Sequence, residues 1–349
     1  MSKAHKTMKI LITGAAGFVA SHLVDHALAK GEEVVGTVRW NEDLSRLNPN
    51  IKVEYCELED ITSLIRAINK HRPDVISHLA AQSWVPYSFN NPVYTMNTNA
   101  IGTLNVLEAV RIIQDIEEGD YIKNVRRNYQ GVPLVLEKYN PLIHVCSSSE
   151  FYGKVPKKEQ PIGEQHPASP MNPYGVGKVA ADLMSQLYEK YYDMNILITR
   201  MFTHTGPRRT MMSAECFYAK AIAQGEKYTA PGAIIPIAMG NMKSIRTWRD
   251  VRDAVTDYYK LFKERKTGIY NISGDTTKSI QEVLDYLISI STRNKDDFSC
   301  GTDPSLLRKV DVDCQYANTE KFNKEIEQYK AYTFEETMQD LLDWWRKNV

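Results

Sequence analysis

The feature that most constrains this chain is Lys9-Ile-Leu-Ile-Thr13 followed at once by Gly14-Ala-Ala-Gly17-Phe-Val-Ala20. A short apolar run ending in Gly-x-x-Gly-x-x-Ala reads as a strand, a tight turn and the start of a helix, which its pattern carries to Leu28. Gly14 permits the turn, and Gly17 lets backbone approach a pyrophosphate. The free N–H groups of the helix N-terminus attract the negative charge. Ala20 is small enough for close helix–strand packing. After Gly31 a second strand, Glu33 to Val38, completes a β–turn–α–β unit. The turn residues Gly14, Ala16, Gly17, Phe18 and Val19 are the expected cofactor contacts.

The end of the second strand bears on which dinucleotide is held. An acidic residue there favours NAD through the ribose 2′-hydroxyl, whereas Arg39 in Gly36-Thr-Val-Arg39 can pair with a 2′-phosphate. NADP is therefore expected over NAD. A third strand, Lys52 to Leu58, is expected to place Glu57 and Leu58 at the border of the adenine. A helix over Ile61 to Lys70 and a fourth strand, Asp74 to Ala81, follow, with Leu79, Ala80 and Ala81 at its end. Asn97 to Arg111 is amphipathic. Strands alternating with helices specify an α/β fold, a Rossmann-type doubly wound parallel sheet, with ligands at the carboxyl ends of the strands.

The stretch from Ile112 to Pro141 is charged, polar and long for a connection, and reads as a surface insertion. After it come a strand, Leu142 to Cys146, and the run Ser147-Ser-Ser-Glu-Phe-Tyr-Gly153. Tyr174 and Lys178 stand four apart in a helix-favouring segment from Pro173 to Leu187, which puts both on one face. A phenol is a poor base near neutrality, and an ammonium one turn away favours its phenolate. The upstream serines can share the same substrate oxygen. Glu150 adds a carboxylate that simple alcohol oxidation does not require. Residues 1–200 are expected to form the dinucleotide domain, with an insertion at about 112–141. Residues 201–349 are expected to form mainly a smaller substrate-binding lobe interleaved with it.

Composition excludes several classes. Basic and acidic residues both total 43, so nothing attracts nucleic acid or an anionic membrane. No apolar run approaches the roughly 20 residues of a membrane span, and the N-terminus lacks a signal-peptide pattern. Five scattered cysteines without a C-x-x-C pair suit a reduced, cytoplasmic setting. His22 and His26 share a helix face without a third ligand, so no metal is expected. They and His78 read as packed or hydrogen-bonded histidines.

Together these residues resemble the extended short-chain dehydrogenase/reductase family, over nearly the whole chain. Within it the chain is most similar to the GDP-mannose 4,6-dehydratase group, through Ala81-Gln-Ser-Trp-Val-Pro-Tyr-Ser-Phe89, Asn99 to Leu104, Phe202-Thr-His-Thr-Gly-Pro-Arg-Arg209 and Gly240-Asn241 through Arg246-Thr-Trp248. The resemblance implies a nucleotide-sugar 4,6-dehydratase acting on a GDP-linked hexose or heptose. The alternative is a GDP-4-keto-6-deoxy-sugar reductase or epimerase, which shares many of these motifs. A cofactor-sensing binding protein on the same fold would be expected to lack the Tyr174/Lys178 pair.

By resemblance, Ser148, Ser149, Glu150, Tyr174 and Lys178 are catalytic, and His204 joins Tyr174 and Lys178 at the cofactor. The same resemblance implies that Ser83, Thr203, Arg208, Arg209, Arg246, Arg308 and Asp311 contact substrate. A homodimer or homotetramer is implied in the same way. The chain departs from the group's pattern at Trp40, Glu57, Thr203, Ser213-Ala-Glu215 and Arg308-Lys-Val-Asp311. These positions cluster around the sugar and the nucleotide, which keeps a heptose beside the hexose as expected substrate.

Overall fold

The structure is a computed structural model and describes residues 7–123, 139–211, 213–307 and 311–349. The described residues divide into two compact units: those within 7–147, 172–199 and 261–269 form the first, and the other described residues the second. The insertion expected from Ile112 begins later, because the helix Gly102–Lys123 continues through its first dozen residues. Gln114 then donates to the carbonyl of Tyr139 at 2.8 Å, which ties the two ends of the excursion together. Residues 124–138 lie outside the described residues.

The first unit carries most of a seven-stranded sheet, three of whose strands end in residues of the second. Its strands β1 (Lys9–Thr13), β2 (Glu33–Val38), β3 (Lys52–Tyr55), β4 (Val75–His78), β5 (Leu142–Ser148) and β6 (Ile196–Met201) lie in the order β3-β2-β1-β4-β5-β6, with Gly268–Ile272 outermost beside β6. β1 pairs in parallel with both β2 and β4, so the strand order reverses beside β1, where such sheets receive ligands. Ile10, Leu11 and Ile12 are fully buried because helices cover both faces of a parallel sheet.

The helix α1 (Phe18–Ala29) follows the Gly-rich turn. The helix α2 (Ile61–His71) is capped by Asp60, whose side chain accepts from Thr62 N, and stops at Arg72 in the left-handed region. α2 and Gly102–Lys123 pack over the sheet through Leu64, Ile68, Val106 and Leu107. A π-helical turn, Asn97–Ile101, precedes Gly102–Lys123.

The second unit is built on the strand Ile245–Asp250, which pairs with Thr276–Ser279, Cys314–Gln315 and His204–Thr205. Helices Ala214–Tyr228, Ile280–Ser289 and Phe334–Asn348 enclose its core around Trp248, Leu284, Met338 and Leu341. Capping boxes Ser279/Glu282 and Thr333/Glu336 open the last two. Among the described residues no helix is long and apolar enough to cross a membrane.

Candidate active site

In the first unit, Gly14 adopts φ +65°, and a Cβ there would lie 2.9 Å from the Cα of Ala80. The turn at the end of β1 therefore touches the end of β4, leaving no room for any other residue. Gly17 N donates to Gly14 O at 2.8 Å. Gly17 is also the N-cap of α1 and, having no side chain, supplies no side-chain cap to the start of the helix. A cradle too tight for a Cβ beside an uncapped helix start fits a dinucleotide pyrophosphate.

Thr13 at the tip of β1 fixes this arrangement. Its hydroxyl oxygen accepts from Leu79 N and Ala80 N, both at 3.1 Å, and lies 2.8 Å from His78 Nδ1. On the other side of that ring, Nε2 sits 3.0 Å from Thr103 Oγ1, whose hydrogen goes to Asn99 O. Thr103 must then accept from Nε2–H, which leaves Nδ1 to accept from Thr13. Burial pushes the pKa of His78 down to about 3, so the ring is neutral, as this chain of bonds requires. Ser77 and Thr199 hold His144 in the same manner.

The remaining candidates of this unit are spread along the carboxyl edge. Ala16 is buried, while Phe18 and Val19 are half-buried in the first turn of α1. Arg39 is not open: its Nε and Nη2 both reach Glu42 Oε2, at 2.8 and 2.7 Å. Trp40 beside it is 80% exposed and edge-on to Tyr55. Glu57 is exposed, and Leu58 packs beneath Gly102. Ala81 is half-buried and Ser83 exposed.

Tyr174 and Lys178 lie on the helix Pro173–Tyr192, which Asn172 caps through Gly175 N. Lys178 Nζ stands 5.9 Å from the centre of the Tyr174 ring and donates to Cys146 O at 2.7 Å. Burial lowers its pKa.

In the second unit, Ser148 caps the turn Ser149–Phe151 by accepting from Glu150 N. Ser149 Oγ donates to Gln315 Oε1 at 3.0 Å. Arg246 Nη2 lies 3.9 Å from Asp311 Oδ1, so these two candidates are neighbours, with Asn241 on the other carboxylate oxygen. Arg209 faces Ser213 and the buried Glu215, and Arg208 holds φ +67°. Thr203 O accepts from Arg249 N. His204 is held near Phe202 O and pushed down to about 4 by burial. Arg308 lies outside the described residues.

Two further residues, Glu42 and Gln315, were missed from sequence. Glu42 had a signal, its opposite charge three places from Arg39. Gln315 had none, since its partners are more than 160 positions away.

The family model described as GDP-mannose 4,6 dehydratase matches residues 11–341. A GDP-mannose 4,6-dehydratase of Yersinia enterocolitica is 31% identical over 288 residues, covering 79% of this chain and 70% of the relative. A GDP-mannose 4,6 dehydratase of Drosophila melanogaster is 27% identical and covers 95% and 84%. Among solved structures, a Thermus thermophilus UDP-glucose 4-epimerase complex with NAD superposes with a TM-score of 0.79 at 22% identity, over 98% of this chain and all of that one.

Proposed function

The chain belongs to the GDP-mannose 4,6-dehydratase family, and on that premise we propose how it works as a GDP-sugar 4,6-dehydratase, a lyase. The substrate is GDP-mannose or a GDP-linked heptose of the same configuration at C4 to C6. The nicotinamide cofactor is NADP, held by the Gly14–Val19 turn, Leu79 to Ala81, Tyr174, Lys178 and His204. Glu57 and Leu58 border its adenine, and Arg39 takes its 2′-phosphate. When bound, the cofactor would supply reversible hydride transfer, with oxidation at C4 of the sugar balanced by reduction at C6 and no net turnover of cofactor.

Tyr174 removes the proton from the 4-hydroxyl, with the buried ammonium of Lys178 favouring its phenolate. Ser148 hydrogen-bonds the C4 oxygen. The ketone formed there acidifies the C5 proton, and Glu150 abstracts it. Ser149, or Glu150 in its protonated form, assists departure of the C6 hydroxyl as water. Two protons leave, from O4 and C5, and two are returned, one to the departing hydroxyl and one to C5. Arg246, Arg308, Arg208 and Arg209 meet the diphosphate and the groups beside it through guanidinium–oxygen pairs. Asp311 accepts from the nucleotide ribose, while Ser83 and Thr203 touch the sugar. The chain works as a homodimer or homotetramer in the cytoplasm. Support for self-association comes from the helix Pro173–Tyr192, which exposes Val176, Leu183, Leu187 and Tyr191 along one stripe.

The observation that carries this reading is a family match running from residue 11 to 341, across the Gly-rich turn, Ser148–Glu150 and the Tyr174/Lys178 pair. The test is incubation with GDP-mannose and with a GDP-mannoheptose, with and without NADP, followed by mass spectrometry. Loss of one water without net NADPH is the expected result. If instead neither sugar loses water, while a GDP-4-keto-6-deoxy sugar gains two hydrogens at the expense of NADPH, the protein is a reductase.

A further inference from the structure

Ser149 has one hydroxyl hydrogen, and it is engaged. Its Oγ donates to Gln315 Oε1 at 3.0 Å, and both side chains are buried. The amide of Gln315 is used in full. Its Nε2 donates to Ser149 O at 3.2 Å and to Gly153 O at 3.3 Å, the first and last carbonyls of the turn that carries Glu150. One side chain thus spans the whole turn. Gly153 closes it at φ +60°, where a Cβ would fall 1.8 Å from Ser169 O.

The other end of Gln315 leads to the nucleotide residues. Its short strand runs in parallel with Ile245–Asp250, and Gln315 is the register partner of Arg246. Asp311, the neighbour of Arg246, lies four residues upstream. The same backbone therefore positions the candidate diphosphate contact and the candidate acid–base turn.

We propose that Gln315 is the positioning residue for Glu150 and that Ser149 is its anchor, not a proton donor. The proton that converts the C6 hydroxyl to water then comes from Glu150, which has just received one from C5. The bond that breaks is C6–O, the electron pair left at C5 forms the C5–C6 double bond, and the carboxylate is regenerated. This deepens the dehydratase reading and rests on it.

The test uses full-length protein with GDP-mannose (or the heptose, whichever is turned over) and NADP. Gln315→Met keeps the length and removes all three hydrogen bonds, and Ser149→Ala cuts the shared one. A loosened turn leaves C4 oxidation intact and stalls elimination. Each variant is expected to lower kcat by roughly 10-fold with KM within about twofold, and to accumulate enzyme-bound reduced nicotinamide absorbance that the wild type does not show. The double variant is expected to fall no further than the worse single one, because both substitutions cut the same link.

If Ser149→Ala alone loses roughly 100-fold or more, as removal of a general acid does, while Gln315→Met turns over like wild type, the proposal is overturned. Additive losses without reduced cofactor overturn it as well. Should Gln315→Met fail to fold, Ser149→Ala carries the test through the same absorbance signal. Glu150→Gln separates the two levels of the argument. If wild type dehydrates and Glu150→Gln does not, the dehydratase reading stands whatever Gln315 does. If wild type forms no dehydrated product, the reading itself has failed.

Discussion

Replacing Glu42 by Gln should tighten NADP binding and leave NAD binding nearly alone. Two nitrogens of the Arg39 guanidinium, Nε and Nη2, converge on one carboxylate oxygen of Glu42, at 2.8 and 2.7 Å, on side chains that are 54% and 31% exposed. An ion pair this exposed has a net worth of about 0.2–1 kcal/mol, so a 2′-phosphate can displace it, at that cost. The displaced carboxylate then remains nearby. At roughly 6 Å in water it repels each unit of phosphate charge by about 0.7 kcal/mol, less in salt. Removing the charge relieves both terms, about 1–2 kcal/mol together, or roughly 5- to 30-fold in Kd.

Arg39→Ala removes a charge-assisted bond worth about 1.5–3 kcal/mol and should weaken NADP by roughly 10- to 150-fold. Calorimetric titration with NADP and with NAD at low and moderate salt measures both variants, and the exposed Trp40 indole offers a fluorescence signal for the same titrations. The reasoning is refuted if Glu42→Gln leaves NADP unchanged and Arg39→Ala does too. Selective weakening of NAD by Glu42→Gln would make the carboxylate a ribose 2′-hydroxyl acceptor, and the chain an NAD enzyme.

Three other predictions follow from the same geometry. Tyr174→Phe should lower kcat for the GDP-sugar by roughly 100-fold or more, read from the rate of dehydrated product, and activity near wild type would remove Tyr174 from the mechanism. Burial pushes the folded-state pKa of His78 and His144 down to about 3, against an ordinary 6.5, so each ring is neutral when folded and takes a proton on unfolding below pH 6.5. Their stabilisation is complete above that pH and is lost as pH falls toward 3, by about 2 kcal/mol per ring at pH 5. Asp253 and Asp257, raised to about 6 by burial, work in the opposite sense. Denaturant titration of His144→Asn between pH 7 and 5 should show a shallower loss than wild type, and an identical slope would refute the assignment. Leu187→Glu places a charge in the exposed stripe of Pro173–Tyr192 and should yield monomer in sedimentation; an unchanged oligomer would move the interface elsewhere.

What could be read from the sequence is what contiguous segments carry. β1 and β2 fall where Lys9–Thr13 and Glu33–Val38 were expected, because an apolar run between polar residues and glycine has one reading. Helices outlast their expected ends, at Lys123 beyond Arg111 and Tyr192 beyond Leu187, since charged residues dilute the apolar pattern without breaking a helix. β3 stops short at Tyr55. The contacts that fix the site obey no such local rule. Asn99 sits in a stretch that reads as plain helix, yet its amide donates to Gln82 O and accepts from Gln82 N, as a neighbouring strand would. That clamp coincides with the π-helical turn, a form frequent at functional sites. The same clamp bears on Gly177. Between Tyr174 and Lys178, a Cβ at Gly177 would come within 3.1 Å of the Asn99 Cβ. The four-residue interval thus holds two constraints: helix geometry puts Tyr174 and Lys178 on one face, and the approach of Asn99 favours glycine at the place just before the lysine.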